Sequence, residues 1–102
     1  MFFNFYENKE VIPLAKIKTV ENRIYMLEGF RVRFMKNGKD VRSDKGGIPQ
    51  WDYDYATKGA MTVASWRDKF HRSYPGFECD ILLGNGSVAY GNVLLENVRR
   101  TY

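Results

Sequence analysis

The sequence predicts an α+β domain, and three observations carry that expectation. Asn37-Gly38 joins two strand-like runs; Val63, Trp66, Phe70 and Tyr74 recur at helical spacing; Asn85-Gly86 repeats the first signal towards the C-terminus. At 102 residues the chain is sized for a single domain spanning 1–102, since two halves would each be too small to bury a core. Aromatic residues make up 16% of it, which a small fold uses first to fill its interior.

Taken in order, Val11 to Val20 and Arg23 to Leu27 are rich in β-branched and aromatic residues and predict two strands, turning at Glu21-Asn22. Phe30 to Lys36 and Lys39 to Arg42 flank Asn37-Gly38, whose two residues tolerate the positive φ of a type I′ turn. That turn fixes a register with Phe34 facing Val41 and Arg33 facing Arg42. It also places Phe30, Val32 and Phe34 on one face, with Arg31 and Arg33 on the other. The N-terminal half therefore reads as an antiparallel β-meander. Lys45-Gly46-Gly47-Ile48-Pro49 interrupts regular structure, and Trp51-Asp52-Tyr53-Asp54-Tyr55 alternates like a further strand or an extended segment.

The period then changes. Thr62 is a suitable N-cap and Pro75-Gly76 a stop, so a helix is predicted over about 62–74, with Asp68 and Arg72 four apart on its outer face. Phe77 to Leu83 and Val88 to Tyr90 flank Asn85-Gly86 as a second hairpin of the same type. Asn92 is a candidate cap for a short C-terminal helix through Leu94, Leu95 and Val98, although Val93-Leu94-Leu95 suits a strand equally.

The inventory for catalysis is thin. His71 is the only histidine and falls beside the Trp66/Phe70 stripe, where a helix-flank residue is the simpler reading than a catalytic base. Cys79, the only cysteine, alternates with Phe77 and Ile81 on a presumed core face, which suits an inert buried thiol. One Cys and one His cannot build a zinc site alone. Asp52 and Asp54 share a face, but a hard-cation site needs further oxygen ligands, so they read as charged surface. Gly46-Gly47 and Gly84-Asn85-Gly86 lack the lysine and helix start of a phosphate-binding loop and read as turns. An enzyme using His71 with Asp52 and Asp54 is the most remote reading. No cofactor and no metal are expected.

Charge is the more informative signal. The net charge is +4; residues 1–51 carry ten Lys/Arg against six Asp/Glu, whereas 52–102 carries six of each. Arg31, Arg33, Lys36, Lys39, Arg42 and Lys45 against Asp40 and Asp44 account for that whole excess in one segment. Like charges facing each other weaken a ladder by a few tenths to ~1 kcal/mol, so Arg33 opposite Arg42 asks for compensation. A polyanion would supply it, gripped by Arg31, Arg33 and Arg42 with Lys36 and Lys39 near the tip. Asp52 and Asp54 on a neighbouring strand, or an acidic protein surface, would serve as well. A solvated charged face without any partner is the plain alternative. Trp51 and Tyr53, with Tyr55, offer rings on which bases could stack, against the simpler reading of core packing.

The expectation is thus a non-enzymatic small binding protein whose Arg-rich hairpin engages nucleic acid or a nucleoprotein complex. The sites are Arg31, Arg33, Lys36, Lys39, Arg42, Trp51 and Tyr53. The alternative is a phage or mobile-element inhibitor of the anti-CRISPR or anti-restriction type, acting on a host protein by protein–protein binding. The lone cysteine, the interrupted apolar start Met1 to Tyr6 and the absence of a ~20-residue apolar window point to a cytoplasmic protein without a membrane partner.

Overall fold

The computed structural model describes residues 14–102. In chain order these form β1 (Leu14–Ala15), α1 (Ile17–Glu28), β2 (Arg31–Lys36), β3 (Lys39–Asp40), β4 (Ile48–Pro49), α2 (Val63–Ser73), β5 (Glu78–Leu82) and α3 (Leu95–Arg99). The fold is α+β, with a three-stranded antiparallel sheet in the order β3-β2-β5 and a small antiparallel pair β1-β4. The segment from Val11 to Pro13 lies outside the described residues.

The first hairpin forms as the sequence predicts. Met35 faces Asp40 and Lys36 faces Lys39, which leaves Asn37 (φ 53°) and Gly38 (φ 75°) as the two turn residues. Both sit in the left-handed region that a type I′ turn requires. Val41 donates its N–H to the Phe34 carbonyl at 3.0 Å, so the predicted register holds for one residue beyond β3. There the ladder ends. The Phe34 N–H, which the Val41 carbonyl would accept in an uninterrupted ladder, donates instead to Glu21 Oε2 on α1 at 3.0 Å.

Two expected strands are corrected: Ile17 to Glu28 is a helix, with Glu21-Asn22 inside it rather than at a turn. Ile17, Val20, Ile24 and Glu28 are buried at helical spacing, and burial on that face outweighs the β-propensity of the individual residues. The helix starts without a side-chain cap. Its first N–H groups, from Ile17 and Lys18, donate to the carbonyls of Lys45 (2.8 Å) and Ser43 (2.9 Å). It stops at Gly29, whose φ of 82° allows its N–H to close on the Tyr25 carbonyl. Of the first expected strand Leu14–Ala15 is extended, as β1 paired with β4, but a helix follows from Ile17 through the second, so the N-terminal half is not a meander.

Helix α2 follows its sequence signals closely. Thr62 Oγ1 accepts from the Ser65 N–H at 3.2 Å, and Tyr74 ends the helix ahead of Pro75-Gly76. Val63, Trp66 and Phe70 are fully buried. Phe34 of β2 meets Phe70 edge-on at 4.8 Å between ring centroids and Tyr74 at 5.3 Å, which seats the helix on the Val32/Phe34 face of the sheet. No Asp68–Arg72 ion pair occurs among the described residues.

The second hairpin signal locates a turn but not its type. Gly86 has φ 89° while Asn85 does not reach positive φ. Leu83 N–H donates to the Ser87 carbonyl and Gly86 N–H to the Leu83 carbonyl, each at 2.8 Å, giving a three-residue loop closed by a left-handed glycine. The C-terminal segment is a helix, capped by the Leu94 backbone rather than by Asn92.

Gly84 has a separate role. Its N–H donates to Thr101 Oγ1 at 2.7 Å, and a Cβ built there would lie 1.8 Å from the Thr101 carbonyl oxygen. The neighbour is backbone and cannot rotate away. Gly84→Ala is therefore expected to destabilise the fold by about 1–3 kcal/mol, the range for overpacking. A thermal midpoint equal to that of the wild type would show that the C-terminal turn moves freely instead.

Candidate functional site

The predicted arginines do line a common groove. Arg31, Arg33 and Arg42 enclose about 470 Å³ together with Glu21 and Asn22 of α1, Asp40 and Ser43. Their charges, however, are largely engaged from within. Arg33 lies opposite Asp80 in the β2–β5 register, its Nη2 3.2 Å from Asp80 Oδ2 and its Nε 3.9 Å from Asp40. Arg42 turns out of the ladder to Asp44 at 2.7 Å, so its expected repulsion with Arg33 is relieved. That contact holds the Asp44 carboxyl below the usual carboxylate range. The guanidinium of Arg31 stacks over the Tyr25 ring at 3.9 Å.

Asp52 and Asp54 do not neutralise these arginines. Asp54 sits 3.6 Å from Arg23, whose Nε and Nη2 also donate to the carbonyls of Trp51 and Tyr53 at 3.0 Å each. Burial raises the Glu21 carboxyl above its ordinary value despite the N–H it accepts from Phe34, with Asp40 adding to the rise and Arg33 opposing it.

The lysines behave differently. Lys36 and Lys39 face each other directly across β2 and β3, and both are exposed. A like pair in that position destabilises a ladder by a few tenths to ~1 kcal/mol. Lys36, Lys39, Arg42 and Lys45, with Asp40 and Asp44, line a second groove of about 560 Å³ adjoining the first. The backbone bonds that cap α1 bring two further lysines to this place. Lys18 is tied to Ser43, the Lys16 stem packs near Gly46, and the Lys16 charge is close enough to help lower the Asp44 carboxyl. Lys16, Lys18, Lys36, Lys39 and Lys45 form no ion pair among the described residues. Two segments separated in sequence, residues 16–18 and 36–45, thus build one basic face. Sequence reasoning missed Lys16 and Lys18, because their position depends on a helix cap formed by residues far along the chain.

The aromatic candidates lie elsewhere. Trp51 is 1% exposed, packed against Trp66 at 5.4 Å and Phe70 at 6.2 Å, so its ring belongs to the core. Tyr53 is 36% exposed, with Lys69 Nζ 4.0 Å from its ring centre. Tyr55 projects outward. Residues 51–55 run without a strand among the described elements, so their alternation reflects an irregular segment with one ring turned inward.

His71 Nδ1 pairs with the Phe77 carbonyl at 2.8 Å. His71 and Cys79 line one groove with Arg67, Asp68 and Glu78, but Cys79 is buried, and burial pushes its thiol far above the ordinary value. A thiol held in that state is a poor nucleophile. Among the described residues no group of three or more His, Cys, Asp and Glu side chains is placed to hold a metal ion, and no helix is long and apolar enough to cross a membrane.

Comparison of the chain with protein-family models, with curated proteins and with solved structures finds no match.

Proposed function

We propose that this chain is a non-enzymatic binding protein that engages the phosphate backbone of nucleic acid through the face formed by Lys16, Lys18, Lys36, Lys39, Arg42 and Lys45. The observation that carries the reading is the convergence of five lysines that form no ion pair among the described residues, two of them directly opposed at a hairpin tip. The two carboxylates of this groove, Asp40 and Asp44, pair with Arg33 and Arg42, so the opposed lysines are stabilised by an anion outside the protein, and lysine is a compact, mobile point charge suited to phosphate. The grip is thereby assigned chiefly to lysines rather than to Arg31 and Arg33, which Tyr25 and Asp80 already occupy.

The test is salt dependence. Affinity for a generic oligonucleotide should fall steeply as salt rises, because each neutralised phosphate releases condensed counterions. Lys36→Gln, Lys39→Gln and Lys45→Gln combined should flatten the log–log slope by about 0.9 for each duplex-DNA phosphate that is no longer neutralised. All three side chains are exposed, so stability should stay within about 0.5 kcal/mol of wild type. A wild-type protein without affinity at low salt would sink the reading, and an unchanged slope in the triple variant would move the binding surface to another face.

A further inference from the structure

Resting on that reading, we infer that the nucleic acid is duplex DNA, entered at its major groove by the tip of the β2–β3 hairpin. Pairing between β5 and β2 runs from Arg31↔Leu82 to Met35↔Glu78 and stops there. Lys36, Asn37, Gly38 and Lys39 therefore lie past the end of that pairing, and all four are exposed. Lys36 and Asn37 are bordered on one side by Pro75, Gly76 and Phe77, over whose ring the Lys36 ammonium sits at 5.4 Å, while Gly38 and Lys39 form the outer side of the tip. The type I′ turn keeps the two-stranded tip narrow, since Asn37 and Gly38 close it without any further loop residue. A two-stranded ribbon fits the B-form major groove, which is about 12 Å wide. The deep, narrow major groove of A-form RNA does not admit it. Lys36 and Lys39, one on each strand of the ribbon, then meet phosphates as the tip enters, while Lys16, Lys18 and Lys45 extend the basic surface behind it.

Single strands fit less well. Surfaces that bind unpaired bases present free aromatic faces for stacking. Here Tyr25 carries Arg31 at 3.9 Å, Tyr53 carries Lys69 at 4.0 Å and Trp51 is in the core. These rings are thus already covered, and the freely exposed Tyr55 and Tyr90 line neither basic groove, so the basic face offers charge instead.

Fluorescence-anisotropy titrations with a DNA duplex of about 20 base pairs, each of its separated strands, and the RNA duplex of the same sequence, at one fixed salt concentration, test the inference. The DNA duplex should bind at least about tenfold more tightly than either single strand or the RNA. Lys36→Gln with Lys39→Gln should abolish that preference while circular dichroism stays unchanged. Equal or tighter binding of single strands or of RNA would overturn the duplex-DNA inference and leave the basic-face reading standing. A preference that survives the double variant would overturn insertion of the tip. No binding of any of these nucleic acids would remove both.

Discussion

Trp66→Ala is expected to cost about 3–5 kcal/mol, the range for removing a large ring from a packed interior. Trp66 is fully buried and central. Its ring meets Phe30 edge-on at 5.2 Å, Trp51 at 5.4 Å and Phe70 at 6.0 Å, so one deletion removes the partner of rings on the 51–55 segment, α2 and the turn before β2. Its Nε1–H also donates to Glu28 Oε2 at 3.1 Å, so the truncation leaves a buried carboxylate short of a donor. Domains are stable by only about 5–15 kcal/mol in total, and a chain of this size sits at the lower end. In urea denaturation the midpoint should collapse, and thermal melting should begin more than about 10 °C lower. Trp66→Phe keeps a six-membered ring but still loses the donor to Glu28, and should cost less than Trp66→Ala without restoring wild-type stability. A Trp66→Ala protein with wild-type stability would place the ring outside the cooperative core.

What the sequence shows of this fold depends on how local each determinant is. The first hairpin is legible because Asn37 and Gly38 carry their own conformational preference and fix the pairing of their neighbours. Helix α2 is legible because its cap, its apolar stripe and its stop lie in one continuous window. Helix α1 carries a helical spacing in Ile17, Val20 and Ile24 and a stop in Gly29. Those signals are obscured because its β-branched residues also suit strands, its start is capped by carbonyls at Ser43 and Lys45, and its buried face ends on a glutamate. The candidate site divides in the same way. Its hairpin lysines follow from register, whereas Lys16 and Lys18 arrive only through that long-range cap. Trp51 and Tyr55 share a parity but not an environment, since the segment between them is irregular and anchored by Arg23 to two of its carbonyls.

The glutamate at the end of α1 supports the second large prediction. Glu28 is 1% exposed, and four donors converge on its carboxylate. Oε1 accepts from Thr57 N–H at 2.9 Å and Arg99 Nη2 at 2.7 Å; Oε2 accepts from Thr57 Oγ1 at 2.8 Å and Trp66 Nε1 at 3.1 Å. Arg99 also donates to the Glu28 and Thr57 carbonyls, at 2.5 and 2.7 Å. One side chain thus ties α1, the irregular segment before α2, α2 itself and α3 together. A buried pair of this kind adds little over an apolar substitute, but breaking it strands the remaining charge and its donors. Glu28→Ala should therefore cost about 3–5 kcal/mol. Glu28→Gln keeps the shape yet turns an NH₂ towards two of the four donors, and should cost about 2–3 kcal/mol. Glu28→Leu combined with Arg99→Met removes both charges and should recover much of the loss, because no uncompensated charge remains. Hydrogen exchange adds a local reading: the Thr57 amide, which donates to Glu28, should lose protection in Glu28→Gln before the α2 amides do. If Glu28→Ala stays within about 1 kcal/mol of wild type, water has replaced the carboxylate, and the network does not hold these segments together.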